Sequence, residues 1–328
     1  MIIQNKILMP FYLVLAWAIS NVLRRFFAIT YNIDAVVFSI VSLFTASIIL
    51  IIIGHKKNNN NTKEALKEKY TWLFALFEIL SSISTMMIFI YVNSTKGSLL
   101  MQFTSITAII YGLYKYKKEF KLYDFAGCLL IVSGVFHVIS TVDNSILSII
   151  TIATIFNALF ITAKTISAER NPFNISELDY KDRCQITGNV VLFTSIAMCC
   201  LMLILSFIKP LLINNNFIFS ITPDLREFTH LPTIISGIIF GTVILSLIRY
   251  LYFYSSRLVA TDNLLIISAL TPISTWLFEF LAVKLNILHH IEISNDDLIW
   301  GSVITIGAIT MIFGRYKEIL LKSKVIKI

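Results

Sequence analysis

Charged side chains are scarce in this sequence. Lys, Arg, Asp and Glu make up 14% of its 328 residues, against roughly a quarter in soluble globular domains. Too few ionic groups exist to cover a water-facing surface. Cysteine is sparse as well. Cys128, Cys184, Cys199 and Cys200 lack metal-ligand spacing and lie mostly in apolar segments, so they read as packing residues rather than a disulfide framework. No GxxxxGKS, HExxH or GxSxG pattern occurs. The first absence excludes ATP-driven transport by this chain alone, and the others remove two common hydrolase signatures. Neither a cofactor nor a catalytic residue set is expected.

What fills the chain instead is apolar: 57% of residues are hydrophobic and the mean hydropathy is +0.80. The apolar residues fall in blocks of 17 to 25, each long enough to cross a hydrocarbon core of about 30 Å at about 1.5 Å per residue. Ten spans are expected, at Ile7–Ile29, Ala35–Gly54, Trp72–Val92, Ser98–Tyr114, Phe125–Val142, Ile146–Ala163, Gly188–Ile208, Leu231–Ser255, Leu264–Val283 and Leu298–Gly314. The fold class is therefore all-α, a polytopic integral membrane protein without a soluble domain. Ala16-Trp17-Ala18 resembles a signal-peptidase site, but only Lys6 precedes it and apolar character continues to Ile29. The segment is expected to stay as the first span. The run Asn58–Asn61 reads as a solvated linker.

The net charge of +8 (pI near 9.2) does not point to nucleic acid, because the basic residues are sorted by loop. With the N-terminus inside, twenty Lys and Arg fall in the inner set, six in the outer, and Arg249 lies within a span. That bias predicts both termini in the cytoplasm and an even number of spans. Richness in Ile, Asn and Lys suits an AT-rich bacterial genome, so the cell (inner) membrane is the expected location.

The two halves share an order of features. Tyr91-Val92-Asn93-Ser94 closes the third span as Tyr252-Phe253-Tyr254-Ser255 closes the eighth, and Ser98-Leu99-Leu100 opens the fourth as Asn263-Leu264-Leu265 opens the ninth. Spans five and ten carry Asp124, Gly127, Gly134 and Asp297, Gly301, Gly307; spans one and six carry Asn21 before Arg24 and Arg25, and Asn157 before Lys164. A five-span unit ends on the side opposite its start, so a tandem copy inserts upside down. The expected organisation is two inverted repeats, residues 1–143 and 144–328, the architecture of secondary transporters.

This organisation resembles the drug/metabolite transporter superfamily, in particular EamA-type ten-span carriers, over nearly the whole chain. Leu270-Thr271-Pro272 in span nine, Lys118-Glu119 after span four, and Gly127 with Gly134 match its pattern of proline-bearing helix, basic-acidic turn and glycine-bearing helix. Thr107 stands where the first half would carry the proline, and Lys284–Asp297 lacks a matching glutamate. The resemblance implies spans three and eight lining a central cavity.

Ionisable residues inside spans are expensive and normally face a cavity or each other. Glu78 and Arg249 lie roughly 10 Å deep from the same side, so they are expected to share a vestibule and to pair. Glu279 lies towards the opposite surface, at a depth comparable to Arg24 and Arg25. In the functional reading, Glu78 or Glu279 binds a cationic group or a coupling proton, and Arg249 a carboxylate or phosphate. In the other they are structural bridges, or side chains snorkelling to the interface, and the latter is the expectation for Arg24 and Arg25. Trp17, Asn21, Gln102, Tyr91, Asn157, Tyr252 and Trp276 are further pocket candidates, with helix packing or the interfacial aromatic belt as alternatives. Gln102 and Asn157 stand out, because a buried amide needs a partner. His289, His290, Glu292, Asp296 and Asp297 share one outer loop and read as a solvated turn rather than a metal site.

The expected function is secondary transport of a small metabolite (amino acid, amine, nucleoside-like or drug-like) by alternating access. Alternatives are a membrane enzyme acting on lipid-linked substrates and a non-transporting helper or receptor. Expected partners are the small-molecule substrate, a coupling proton or counter-solute, the lipid bilayer and a second copy in a homodimer; nucleic acid is not among them.

Overall fold

The computed structural model describes residues 2–55, 60–117, 119–175, 179–211, 222–259, 261–288 and 295–325. Among these the chain is helical, with no strand. The main helices are Ile2–Tyr31 (α1), Ala35–Ile53 (α2), Lys69–Tyr91 (α3), Ser94–Leu100 (α4), Phe103–Tyr116 (α5), Leu122–Ser140 (α6), Leu147–Arg170 (α7), Tyr180–Ile208 (α8), Leu231–Phe240 (α9), Ser246–Leu258 (α10), Thr261–Ile267 (α11), Thr271–Lys284 (α12) and Asn295–Val325 (α13). Among the described residues, eight stretches are long and apolar enough to cross a membrane: Leu8–Tyr31, Ala35–Ile53, Lys69–Tyr91, Leu122–Ser140, Leu147–Arg170, Tyr180–Ile208, Leu231–Ser256 and Asn263–Lys284. Two of the ten expected spans are not in this set. Ser98–Tyr114 is not one helix, since it spans the end of α4 and most of α5. Leu298–Gly314 is represented by the shorter apolar stretch Leu298–Met311 inside α13.

The helix boundaries have local causes. Asp34 caps α2 by accepting from the Val36 and Val37 amides at 2.9 and 2.8 Å, satisfying donors that the first turn leaves free. Burial outweighs those bonds and raises the Asp34 carboxyl above the usual carboxylate range. Asn93 caps α4 by accepting from Lys96 N–H at 2.7 Å. The asparagine run expected to be a linker contributes Asn60 and Asn61 to a short helix, Asn60–Ala65. His289, His290 and Glu292 lie outside the described residues, whereas Asp296 and Asp297 fall in the first turn of α13.

Large apolar side chains cover the outside. Phe136, Phe207, Leu231 and Phe313 are each about two-thirds or more exposed, an arrangement that lipid tolerates and water does not. Inside, one packed cluster joins Leu13, Phe38, Phe74, Phe240 and Tyr252. A second joins Leu99, Ile109, Ile131, Ile304 and Met311. In the second cluster α6 and α13 cross at glycines. A Cβ on Gly127 would lie 2.6 Å from the Gly307 carbonyl oxygen, and one on Gly307 would lie 2.8 Å from that of Gly127. Only the absence of side chains lets the two backbones approach so closely.

The helix interruptions matter most for function. Between α4 and α5 the chain makes tight i→i+3 bonds at Met101–Gln102. Hydroxyls compete for the carbonyls there: Ser98 bonds Thr95 O at 2.7 Å and Thr104 bonds Met101 O, which loosens an α-helix. In the second half a 3₁₀ turn, Ser268–Leu270, separates α11 from α12. Pro272 follows at the start of α12 and cannot donate back to Ser268. The two breaks touch, with the Ser105 hydroxyl donating to Leu265 O at 3.2 Å. A third irregularity is the π-helical turn Gly241–Leu245 joining α9 to α10. A Cβ on Gly241 would sit 2.3 Å from Ser42 O, so glycine lets this turn press onto α2.

Candidate functional site

Four ionisable side chains meet inside the helix bundle. Glu78 of α3 is completely buried. Its Oε1 forms an ion pair with Arg249 Nη2 of α10, and its Oε2 lies 3.5 Å from Lys164 Nζ of α7. Lys164 also approaches the Ser81 hydroxyl at 3.4 Å and rests over the Tyr252 ring, 4.5 Å from its centroid. Arg24 of α1 is 6% exposed and lies over the Phe240 ring at 5.2 Å.

Helix geometry explains why these groups converge. Contacts between Asn171 and Thr71, and between Asn174 and Ser256, gather the end of α7, the start of α3 and the end of α10 at one face. Arg25 donates to the Phe89 and Ile90 carbonyls at 3.2 and 2.8 Å, which sets the end of α1 beside the end of α3 at the other face. At about 1.5 Å per residue, Glu78, Lys164 and Arg249 lie roughly 9–14 Å inside the first face and Arg24 about 10 Å inside the second. They meet in the interior from opposite directions.

The groups border a cavity of about 60 Å³ whose walls include Arg24, Lys164 and Arg249. Both helix breaks contribute to it, Gln102 and Thr104 from one and Ser268 and Thr271 from the other. The π turn contributes Leu245, and Arg249 follows one turn later. Three cations and one carboxylate leave two positive charges in excess. An uncompensated cation deep in a bilayer costs on the order of 3 kcal/mol on insertion scales.

Of the residues singled out from sequence, Trp17, Asn21, Gln102 and Arg249 line this cavity. The expected pairing of Glu78 with Arg249 is present. Tyr252 is fully buried behind the cavity, with its hydroxyl bonded to Thr165 and its ring 5.6 Å from that of Trp17. Asn157 is fully buried against α3, donating to the Thr85 hydroxyl at 2.5 Å and to Ser81 O at 3.4 Å. Asn21 reaches the Thr275 hydroxyl at 3.3 Å. Glu279 is buried elsewhere, where its Oε2 accepts from Thr95 N–H at 3.0 Å and from the Thr95 hydroxyl at 2.5 Å. Tyr91 is 40% exposed at the end of α3, and Trp276 is 36% exposed and stacks on Phe280. Neither reaches the cavity.

Two cationic residues require correction. Arg24 does not snorkel to the interface; it is buried and turned into the cavity. Lys164, one residue past the expected end of the sixth span at Ala163, lies inside a helix, because α7 continues to Arg170. A signal for both existed in the spacing. Trp17, Ser20, Asn21 and Arg24 recur at i, i+3, i+4 and i+7, and so do Glu78, Ser81, Ser82 and Thr85. Asn157 and Lys164 also stand seven residues apart. Such polar stripes occupy one helix face.

No curated protein matches the chain. One solved crystal structure of a protein superposes with a TM-score of 0.60 at 12% identity, covering 93% of this chain and 96% of its own; this likeness concerns the fold. A model of the EamA-like transporter family matches residues 4–140. That match takes in most of the first half of the chain, and the matched family is part of the drug/metabolite transporter superfamily.

Proposed function

We propose that the protein is a secondary carrier that moves a small metabolite across the cell membrane by alternating access, with the central cavity as its substrate site. The observation that carries this reading is the cavity wall, to which two interrupted helices, one in each half, contribute their breaks. Interrupted helices at the middle of a membrane leave backbone and hydroxyl groups free to hold a substrate. In this reading residues 1–143 and 144–328 are inverted repeats of five spans, and both termini face the cytoplasm.

The packing partners of the helices support the inversion. α1 packs on α12 and α10, as α7 packs on α5 and α3. α2 packs on α8, and α6 on α13. Two carboxylate contacts then act as closures at opposite faces. Glu279 holds Thr95 at the start of α4, and Glu169 Oε2 accepts from Thr261 N–H at 3.1 Å and from its hydroxyl at the start of α11. Opening the cavity to one face requires releasing the closure on that side.

The test is flux through the purified protein in proteoliposomes, with candidate compounds chosen by comparing metabolites of cells with and without it. Saturable, trans-stimulated movement of at least one compound is the expected result. Lipid turnover without flux across a broad metabolite panel would instead favour a membrane enzyme.

A further inference from the structure

The charge arrangement narrows the substrate class. Arg24 is 94% buried, yet among the described residues it has neither an ion pair nor a hydrogen bond; its ring contact is Phe240. Its Nε lacks a partner, while the side chain lines the cavity. Arg249 and Lys164 repel it, and Glu78 attracts it. Glu78 is already committed to Arg249 and Lys164. A guanidinium held this way in a low-dielectric wall lacks an acceptor that can use its planar fork of donors.

The remaining walls favour an oxyanion as well. Thr271 Oγ1 is buried without a hydrogen-bond partner and borders the same cavity. Ser82 adds a hydroxyl. The volume of about 60 Å³ is small: one water needs roughly 10–15 Å³ on this measure, so the space suits a compact head group in place of several waters.

We infer that the cavity binds a small organic anion through its carboxylate or phosphate group, with Arg24 as the primary anchor and Arg249 and Lys164 as the second cationic wall. This rests on the cavity being the substrate site of a carrier. Glu78 keeps the paired cations apart and tempers their attraction, so that an anion is held without being trapped. With two charges in excess, a dianion neutralises the site and a monoanion leaves one cation over. Dianions are therefore preferred.

The experiment uses the full chain in neutral-lipid nanodiscs at constant ionic strength, with thermal unfolding followed against inorganic phosphate, succinate, acetate, choline and glycerol. Succinate or phosphate is expected to stabilise the protein at concentrations at least tenfold below those at which acetate acts. Choline and glycerol are expected to have no effect. The two dianions separate phosphate from carboxylate recognition. Arg24→Gln is expected to weaken binding at least tenfold and Arg24→Lys less, while Arg226→Gln in the loop before α9 leaves it unchanged. Should Arg24→Gln not fold, Arg24→Lys and the ligand panel on the unaltered protein carry the decision. Stabilisation by choline or glycerol equal to that by succinate and phosphate overturns the inference. So does anion binding by a folded Arg24→Gln within twofold of the original. Anion binding without flux leaves the inference standing and removes the carrier reading. Flux of a neutral or cationic metabolite that no anion inhibits does the reverse.

Discussion

Replacing Glu78 by glutamine keeps the shape of the side chain and removes the charge between Arg249 and Lys164. Both carboxylate oxygens face cations and the residue is fully buried, so the amide brings an N–H towards a group that needs an acceptor. Removing one partner of a buried ion pair costs about 3–5 kcal/mol, most of it from the charge left behind. Here three cations would share one interior, which places the expected loss at the upper end of that range. Arg249→Gln in the same chain relieves part of the loss, because two amides can bond each other. The double-mutant cycle should therefore show an interaction energy of about 1–3 kcal/mol. The assay is reversible unfolding of the purified protein in mixed detergent–lipid micelles, following helix content for the single and double variants. A Glu78→Gln protein within about 1 kcal/mol of the original, or strictly additive singles, would show the ion pair to be energetically idle and refute the reasoning.

Three further outcomes follow from the same geometry. Gly307→Val should destabilise by about 1–3 kcal/mol through overpacking, since its Cβ already meets the Gly127 carbonyl at 2.8 Å; Gly301→Ala, whose Cβ meets Leu99 methyls at 3.5 Å, should be near neutral in the same unfolding assay. In a cysteine-free background carrying Gln102→Cys, Glu279→Gln should speed labelling by a membrane-impermeant thiol reagent from the face where α1 and α3 end. Glu169→Gln should speed it from the opposite face, and the reverse pattern would contradict the two-closure scheme. Lys209 lies 2.8 Å from the exposed Asp224 carboxylate and holds its pKa below the usual carboxylate value. That pair contributes stability present above the ordinary pKa near 4 and lost as pH falls through the depressed one. Asp224→Asn should then cost under about 1 kcal/mol at neutral pH, with the difference closing in acid.

The site was partly legible before the structure. Glu78 and Arg249 could be matched because both lie at one depth on spans that the expected repeat pairs, and a charge at that depth has few explanations. Arg24 was misread, and Lys164 fell just past the expected end of the sixth span, because a cation near a span end normally reaches the interface. Whether it does depends on which way the helix face turns, and only the packing of α1 against α12 and α10, and of α7 against α3 and α5, fixes that. The interruption at Met101–Gln102 was equally hidden. Thr107, standing where a proline was expected, bonds the Thr104 carbonyl at 2.9 Å and the Thr162 hydroxyl at 2.6 Å, contacts that a residue type alone does not announce. The failure to find a continuous fourth span has the same cause, since apolar length is compatible with a helix that breaks.

By itself the sequence determined the medium, because a chain with so few charges and such long apolar blocks has nowhere to fold but a bilayer. It also determined where most helices lie, since backbone polar groups in lipid must be satisfied within each segment. Tertiary structure alone decided what those helices enclose. The bonds that open α4–α5 and α11–α12, and the rotation that turns Arg24 and Lys164 inward, depend on side chains far apart in the chain. A cavity with two positive charges in excess is a property of that convergence and of no single span.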